Sequence, residues 1–248
     1  MEEKIVEKKF AMLIDAENIS SQYIDVIMDE ATKEGVITYK RIYGDWTNNN
    51  HSSWKDILLK HSLNPMQQYA YTQGKNSTDS AMIIDAMDIL YTGTVDGFCI
   101  VSSDSDFTKL ASRLKESGKI VIGMGKKQTP QAFVSACTKF KYIDILAEDN
   151  VEEKESQKTT KKKNQKTEDS TLTNKAKIKK SIKNIIEEKS DADGWLLAST
   201  IGTDMQNKYP DFDCRNYGHK KMINLLGDFG FEIKVSEDKT TYFVKNKN

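Results

Sequence analysis

Three aspartates stand directly behind short apolar runs. Asp15 closes Phe10-Ala-Met-Leu-Ile-Asp15, and Asp104 and Asp106 follow Phe98-Cys-Ile-Val in Ser102-Ser-Asp-Ser-Asp-Phe107. A fourth, Asp79, opens an amphipathic stretch. Wound at about 100° per residue, it places Met82, Ile83, Ala86 and Leu90 within about 60° of Asp79. Asp79 therefore heads the buried stripe, where a carboxylate is unfavourable unless it is paired, hydrogen-bonded or bound to a cation. Asp88 falls on the opposite, solvated face and Asp85 on the flank, a secondary candidate. Carboxylates gathered with no zinc-type ligand beside them suit a hard cation, Mg²⁺ or Mn²⁺, held through oxygen and water. Such a centre suits phosphodiester hydrolysis, in which the metal polarises the scissile phosphoryl group and activates a water. Without metal the carboxylates repel and raise one another's pKa. The alternative for each residue is structural: Asp104 or Ser105, Asp79, and Asn18 or Ser20 each stand where they could cap a helix. For any single residue both readings stand.

The elements that must position these residues read as an alternating α/β chain. Apolar runs predict strands over 10–15, 37–43, 66–71, 98–102, 119–124 and 142–146. Helical spacing predicts helices over 21–34, 53–61, 78–91, 106–117 (closed by Gly118) and 130–138. Runs such as Met12-Leu-Ile and Phe98-Cys-Ile-Val are apolar on both faces, as a parallel sheet covered by helices on both sides requires. The expectation is an α/β fold with a doubly wound, mostly parallel sheet, and in such sheets ligands bind beyond the carboxyl ends of the strands. Asp15, Asp104 and Asp106 fall there.

Over 149–173 apolar residues nearly vanish in favour of Lys, Glu, Thr, Ser and Gln, which predicts a flexible charged linker. Beyond it, helices are expected over 174–189, 197–208 and 215–229, then strands over 231–235 and 241–244, the order of a small winged helix. The domains read as 1–148, a linker at 149–173, and 174–248. The net charge of zero divides unevenly, with 17 Lys+Arg against 20 Asp+Glu in 1–148 and 20 against 17 in the remainder. The carboxylate-bearing half is thus acidic, and the basic half is the one a phosphate backbone would meet.

Several chemistries are not supported. Cys99, Cys137 and Cys214 are widely spaced with no Cys-x-x-Cys pair, so neither a disulfide framework nor a zinc finger is expected. Cys99 reads as a buried strand residue. Gly123-Met-Gly-Lys-Lys lacks phosphate-loop spacing. His51, His61 and His219 stand near no nucleophile elbow. No Asp-x-Asp follows the first strand, which disfavours a phosphatase. No apolar run near membrane length and no secretory signal pattern is present, so a cytoplasmic protein away from membranes is expected. Trp46, after a strand end, reads as a packed loop residue rather than a base-stacking one.

Together these segments resemble a known family. Residues 8–148 resemble the NYN domain of the LabA-like/DUF88 group, among the PIN-like nucleases. The resemblance runs through Leu13-Ile-Asp-Ala-Glu-Asn18, Tyr43-Gly-Asp-Trp46, Lys75-Asn-Ser-Thr-Asp79, Ile84-Asp-Ala-Met-Asp88, Asp96 to Phe107 and Thr129-Pro-Gln-Ala-Phe133. It implies a PIN-like fold and a nuclease metal site at Asp15, Asp79, Asp104 and Asp106, with Asn18, Lys75 and Ser102 near the substrate phosphates. Residues 173–248 resemble an OST-HTH (LOTUS) domain through Asp193-Gly-Trp195, Leu197 to Ile201, Pro210-Asp-Phe212, Asn216-Tyr-Gly-His-Lys-Lys221 and the strand at Phe231, which implies RNA binding or protein docking. Arg215, His219, Lys220 and Lys221 would form a basic edge on the third helix, able to contact phosphate. The expected function is a metal-dependent endoribonuclease with an RNA-binding module. The alternative is a non-catalytic RNA-binding regulator. RNA is the expected partner, with a protein partner or a second copy of the chain also open.

Overall fold

A computed structural model describes residues 7–47, 53–69, 77–148, 174–236 and 240–247. The chain divides into two compact units, Met1–Glu148 and Asp149–Asn248. The linker expected over 149–173 lies outside the described residues.

In the first unit a six-stranded sheet has the order β3-β2-β1-β4-β5-β6. Its strands are β1 (Lys9–Asp15), β2 (Val36–Gly44), β3 (Asn64–Gln67), β4 (Gly97–Val101), β5 (Ile120–Gly125) and β6 (Lys139–Tyr142). Every pairing is parallel. Helices α1 (Ile24–Thr32), α2 (Lys55–His61), α3 (Ser77–Thr92), α4 (Thr108–Glu116) and α5 (Gln131–Ala136) connect the strands, and α6 covers 143–148. The order reverses between β1 and β4, the topological switch point at which open α/β sheets open a crevice. Those two strands are also the most deeply covered, since Phe10 to Asp15 and Gly97 to Val101 are all buried. Parallel strands roofed on both faces need such unbroken apolar runs.

The register sets the site. Ile14 lies opposite Val101, so the next residues, Asp15 and Ser102, leave the sheet side by side.

Some expected elements differ. The strand expected over 142–146 is a helix over 143–148, with β6 ending at Tyr142. Tyr142 and Ile143 are buried in succession and Ile143 and Leu146 are buried three apart, which breaks a two-residue period and begins a helical one. The strand expected over 66–71 begins earlier, at Asn64, where Arg41 pairs with it. The helices expected from Ser21 and from Asp106 each open on a tight 3-10 turn, Ser21–Tyr23 and Ser105–Phe107, before the α-helix proper.

The second unit packs α7 (Lys175–Lys189), α8 (Ala198–Lys208) and α9 (Met222–Asp228) against a small antiparallel sheet of order β7-β9-β8. Its strands are β7 (Leu196–Leu197), β8 (Glu232–Val235) and β9 (Tyr242–Lys245). Ile178, Ile182, Ile201, Met205, Leu225, Leu226 and Val244 form the centre of its core. The third helix, expected over 215–229, is interrupted. Cys214–Tyr217 is a separate 3-10 turn capped by the Asp213 carboxylate, and Gly218 takes a left-handed conformation at φ 81° that ends it. Arg215, His219, Lys220 and Lys221 consequently precede α9 and do not share one helix face. No helix among the described residues is long and apolar enough to cross a membrane.

Candidate metal centre

Asp15 ends β1 almost wholly buried, at 2% exposure. Its Oδ1 accepts the backbone N–H groups of Glu17 and Asn18 at 3.0 and 3.2 Å, and its Oδ2 accepts the Ser102 hydroxyl at 2.9 Å. Burial lifts its carboxyl to about 6, with these three hydrogen bonds pulling the other way. Ser102 Oγ in turn accepts the Asp104 N–H at 3.0 Å. One buried hydroxyl thus ties the end of β1 to the turn after β4. Asn18 makes a parallel tie, its Oδ1 accepting the Ser103 N–H at 2.9 Å, and Ser103 Oγ accepts the Lys126 N–H at 2.8 Å from the end of β5.

Beyond that layer Asp79, Asp104 and Asp106 converge. Each offers a carboxylate oxygen within 4.8 Å of those of the other two. Asp79 comes from the first turn of α3, half-buried, whereas Asp104 and Asp106 come from the 3-10 turn after β4. The Asp104 carboxylate also accepts the Asp106 N–H at 2.9 Å, so it caps that turn as well as facing the cluster. Burial first, then the charges of Asp15, Asp104, Asp106 and Glu17, push Asp79 up to about 6. Like charges this close raise one another's pKa, and a cation placed among them would relieve that repulsion. Oxygen-only donors in this number fit a hard divalent cation that keeps several waters. Asp15 is not one of the three, but its charge is the first to bear on Asp79 after burial, and through Ser102 it is tied to the turn that carries Asp104.

Of the two residues expected near substrate phosphate, Ser102 is buried in the loop network, and Asn18 is part-exposed with its Oδ1 turned to the Ser103 N–H. Lys75 lies outside the described residues. Asp85 is bound by the Arg41 guanidinium and the Tyr43 hydroxyl, which makes it a clamp between α3 and β2, away from the trio. Asp88 is exposed. Trp46 packs against the core and donates its indole N–H to the Met66 carbonyl at 3.1 Å. Cys99 is fully buried and its thiol is pushed up by that burial. The sequence reading passed over Glu17, whose Oε1 accepts the Thr78 hydroxyl at 2.7 Å and whose charge bears on Asp79. Its place two residues after Asp15 was the available signal.

In the second unit Arg215 is forked onto Asp213, with Nη2 to Oδ2 at 2.7 Å, and is half-buried. Lys220 and Lys221 are exposed, and Lys221 is the residue that precedes α9.

The NYN domain model matches residues 9–145, and the OST-HTH/LOTUS domain model matches residues 174–243. No curated protein matches the chain. Among solved structures, a protein of unknown function from Vibrio parahaemolyticus is 21% identical and aligns over 57% of this chain and 96% of its own, with a TM-score of 0.48. Apo scyllo-inositol dehydrogenase from Lactobacillus casei is 11% identical over 98% of this chain and 69% of its own, with a TM-score of 0.31. At those scores neither likeness bears on function.

Proposed function

Because the chain belongs to the NYN domain family and carries an OST-HTH/LOTUS domain, we propose that it is a metal-dependent endoribonuclease whose C-terminal unit captures RNA. The observation that carries the reading is the convergence of Asp79, Asp104 and Asp106 at the carboxyl edge of the sheet, beside the switch point between β1 and β4. Acidic groups alone repel a phosphodiester, so the trio is useful to RNA only through a cation. Asp79, Asp104 and Asp106 would hold Mg²⁺ or Mn²⁺, which when bound polarises a phosphoryl oxygen and makes water a better nucleophile. Ser102 fixes the turn that carries two of the three carboxylates. Asp15 anchors Ser102, and its negative charge bears on Asp79. The relevant test incubates end-labelled RNA, single-stranded and structured, with the purified protein in Mn²⁺, Mg²⁺ or EDTA, beside Asp104→Asn. Metal-dependent fragments that vanish in the variant support the nuclease and its site together.

The second reading is an RNA-binding regulator without turnover. The observation in its favour is that Asp104 already serves as a structural cap and that the Ser102 hydroxyl and the Asn18 Oδ1 are already engaged within the loops. RNA bound but never cut under any metal would select it.

A further inference from the structure

The sheet of the second unit has two unlike faces. Residues paired across an antiparallel ladder share a face, so Leu196, Val244 and Ile233 form the inner one, and Leu196 and Val244 are buried in the core. Leu197, Phe243 and Lys234 lie on the outer face, together with Lys245 and its ladder partner Glu232. Trp195, two residues before Leu197, falls on the same side by alternation. The ion contacts agree with that placement: Lys234 Nζ and Lys245 Nζ stand 5.9 and 5.8 Å from the centre of the Trp195 ring.

Trp195 is held at its backbone, and its ring is part-exposed beneath the two ammoniums. Its N–H donates to Asp191 Oδ1 at 2.7 Å and its carbonyl accepts the Asp191 N–H at 2.9 Å. The Lys245 stem crosses the same turn, so close to Gly194 that an added Cβ would meet its Cε at 3.3 Å. Yet Trp195, Leu197 and Phe243 stand outside the core cluster of this unit, and Leu197 is 39% exposed. Neither lysine is paired with a carboxylate among the described residues.

We propose that this outer sheet face, Trp195 and Phe243 flanked by Lys234 and Lys245, is a stacking surface for unpaired RNA bases, with the two ammoniums taking the adjoining phosphates. The assignment rests on the RNA-capture reading of this unit and names its surface and substrate class. Rigidly mounted aromatic rings stack on any base, and cations beside them complement the backbone. Glu232 is the acidic group that the ladder brings to the face, and it opposes phosphate there. Single-stranded RNA is the occupant that this combination favours, since a duplex hides the faces of its bases.

The experiment is an anisotropy titration of the full chain in EDTA with fluorescein-labelled oligoadenylate and with a blunt RNA hairpin of equal length. Trp195→Ala should weaken oligoadenylate binding about tenfold, and Trp195→Phe should largely restore it. The double variant Lys234→Gln, Lys245→Gln removes the two charges while keeping most of each side-chain stem, Lys234 being exposed and Lys245 part-exposed, and controls for misfolding of Trp195→Ala. It should lower the slope of log affinity against log salt by about 1.4, two phosphates at roughly 0.7 each. Glu232→Gln should tighten binding. If the parent binds oligoadenylate and these variants bind it equally well, the surface is wrong while RNA capture stands, and loss on Lys220→Gln, Lys221→Gln would place capture at those residues. Preference for the hairpin with no effect of Trp195 overturns base stacking. If the parent binds neither RNA, the capture reading itself fails.

Discussion

Around Asp79 the cost of the site is electrostatic, and it has a sign. Its carboxyl is lifted from the ordinary 3.8 to about 6, so the folded chain takes up that proton more readily than the unfolded one. Stability from this group is therefore complete below about pH 4 and is lost as pH rises through about 6. Asp79→Asn removes the repulsion. In EDTA at neutral pH the variant should be more stable than the parent by about 1 kcal/mol, the shift being discounted because the group is half exposed to water. Melting curves across the acid range should show the gain shrinking to nothing near pH 4, and a gain that persists there would mean that charge is not its source. Added Mn²⁺ should raise the melting temperature of the parent more than that of the variant. Ser102 behaves oppositely. Its fully buried hydroxyl joins Asp15 to the Asp104 N–H, so Ser102→Ala should destabilise by about 1–3 kcal/mol in urea unfolding.

Among the elements, the ends of β1, β4 and β5 form one clamped edge, and Gly125 is where it has no slack. A Cβ at that position would meet Thr129 Oγ1 at 2.6 Å and the Ser102 carbonyl at 2.7 Å. Gly125→Ala should cost about 1–3 kcal/mol by overpacking, read from the urea midpoint, and should also disturb the turn that carries Asp104 and Asp106. That clamp was invisible in the sequence, which shows strand ends but not which loops touch. What the sequence did carry was periodicity. The unbroken apolar runs of β1 and β4 announced a covered parallel sheet, and the helical stripe of α3 singled out Asp79 over Asp88. Periodicity failed where an element was too short to show it. β7 has two residues, and the break at Gly218 depends on a side-chain cap from Asp213 that composition does not reveal. The tie between Asp15 and Ser102 depends on hydrogen-bond partners 87 residues apart in sequence.

At the scale of the whole chain, two units with separate cores divide the labour that the proposed function requires. An acidic centre gains nothing from long-range attraction to RNA and must have its substrate delivered. A second RNA-binding unit on the same chain turns the encounter at the first into an intramolecular event, at an effective concentration that for short tethers is on the order of millimolar. This argument separates KM from kcat. A chain ending at Glu148, checked first for a cooperative melt of its own, should cleave a long RNA with KM raised about tenfold or more and kcat nearly unchanged, while a very short RNA that engages only the metal centre should be cut equally by both forms. Adding the second unit as a separate polypeptide should not restore KM, because a mixture has no tether. Should kcat fall instead, with KM unmoved, the second unit would be acting on the metal centre rather than supplying it with RNA, and the division of labour between the two cores would have to be redrawn.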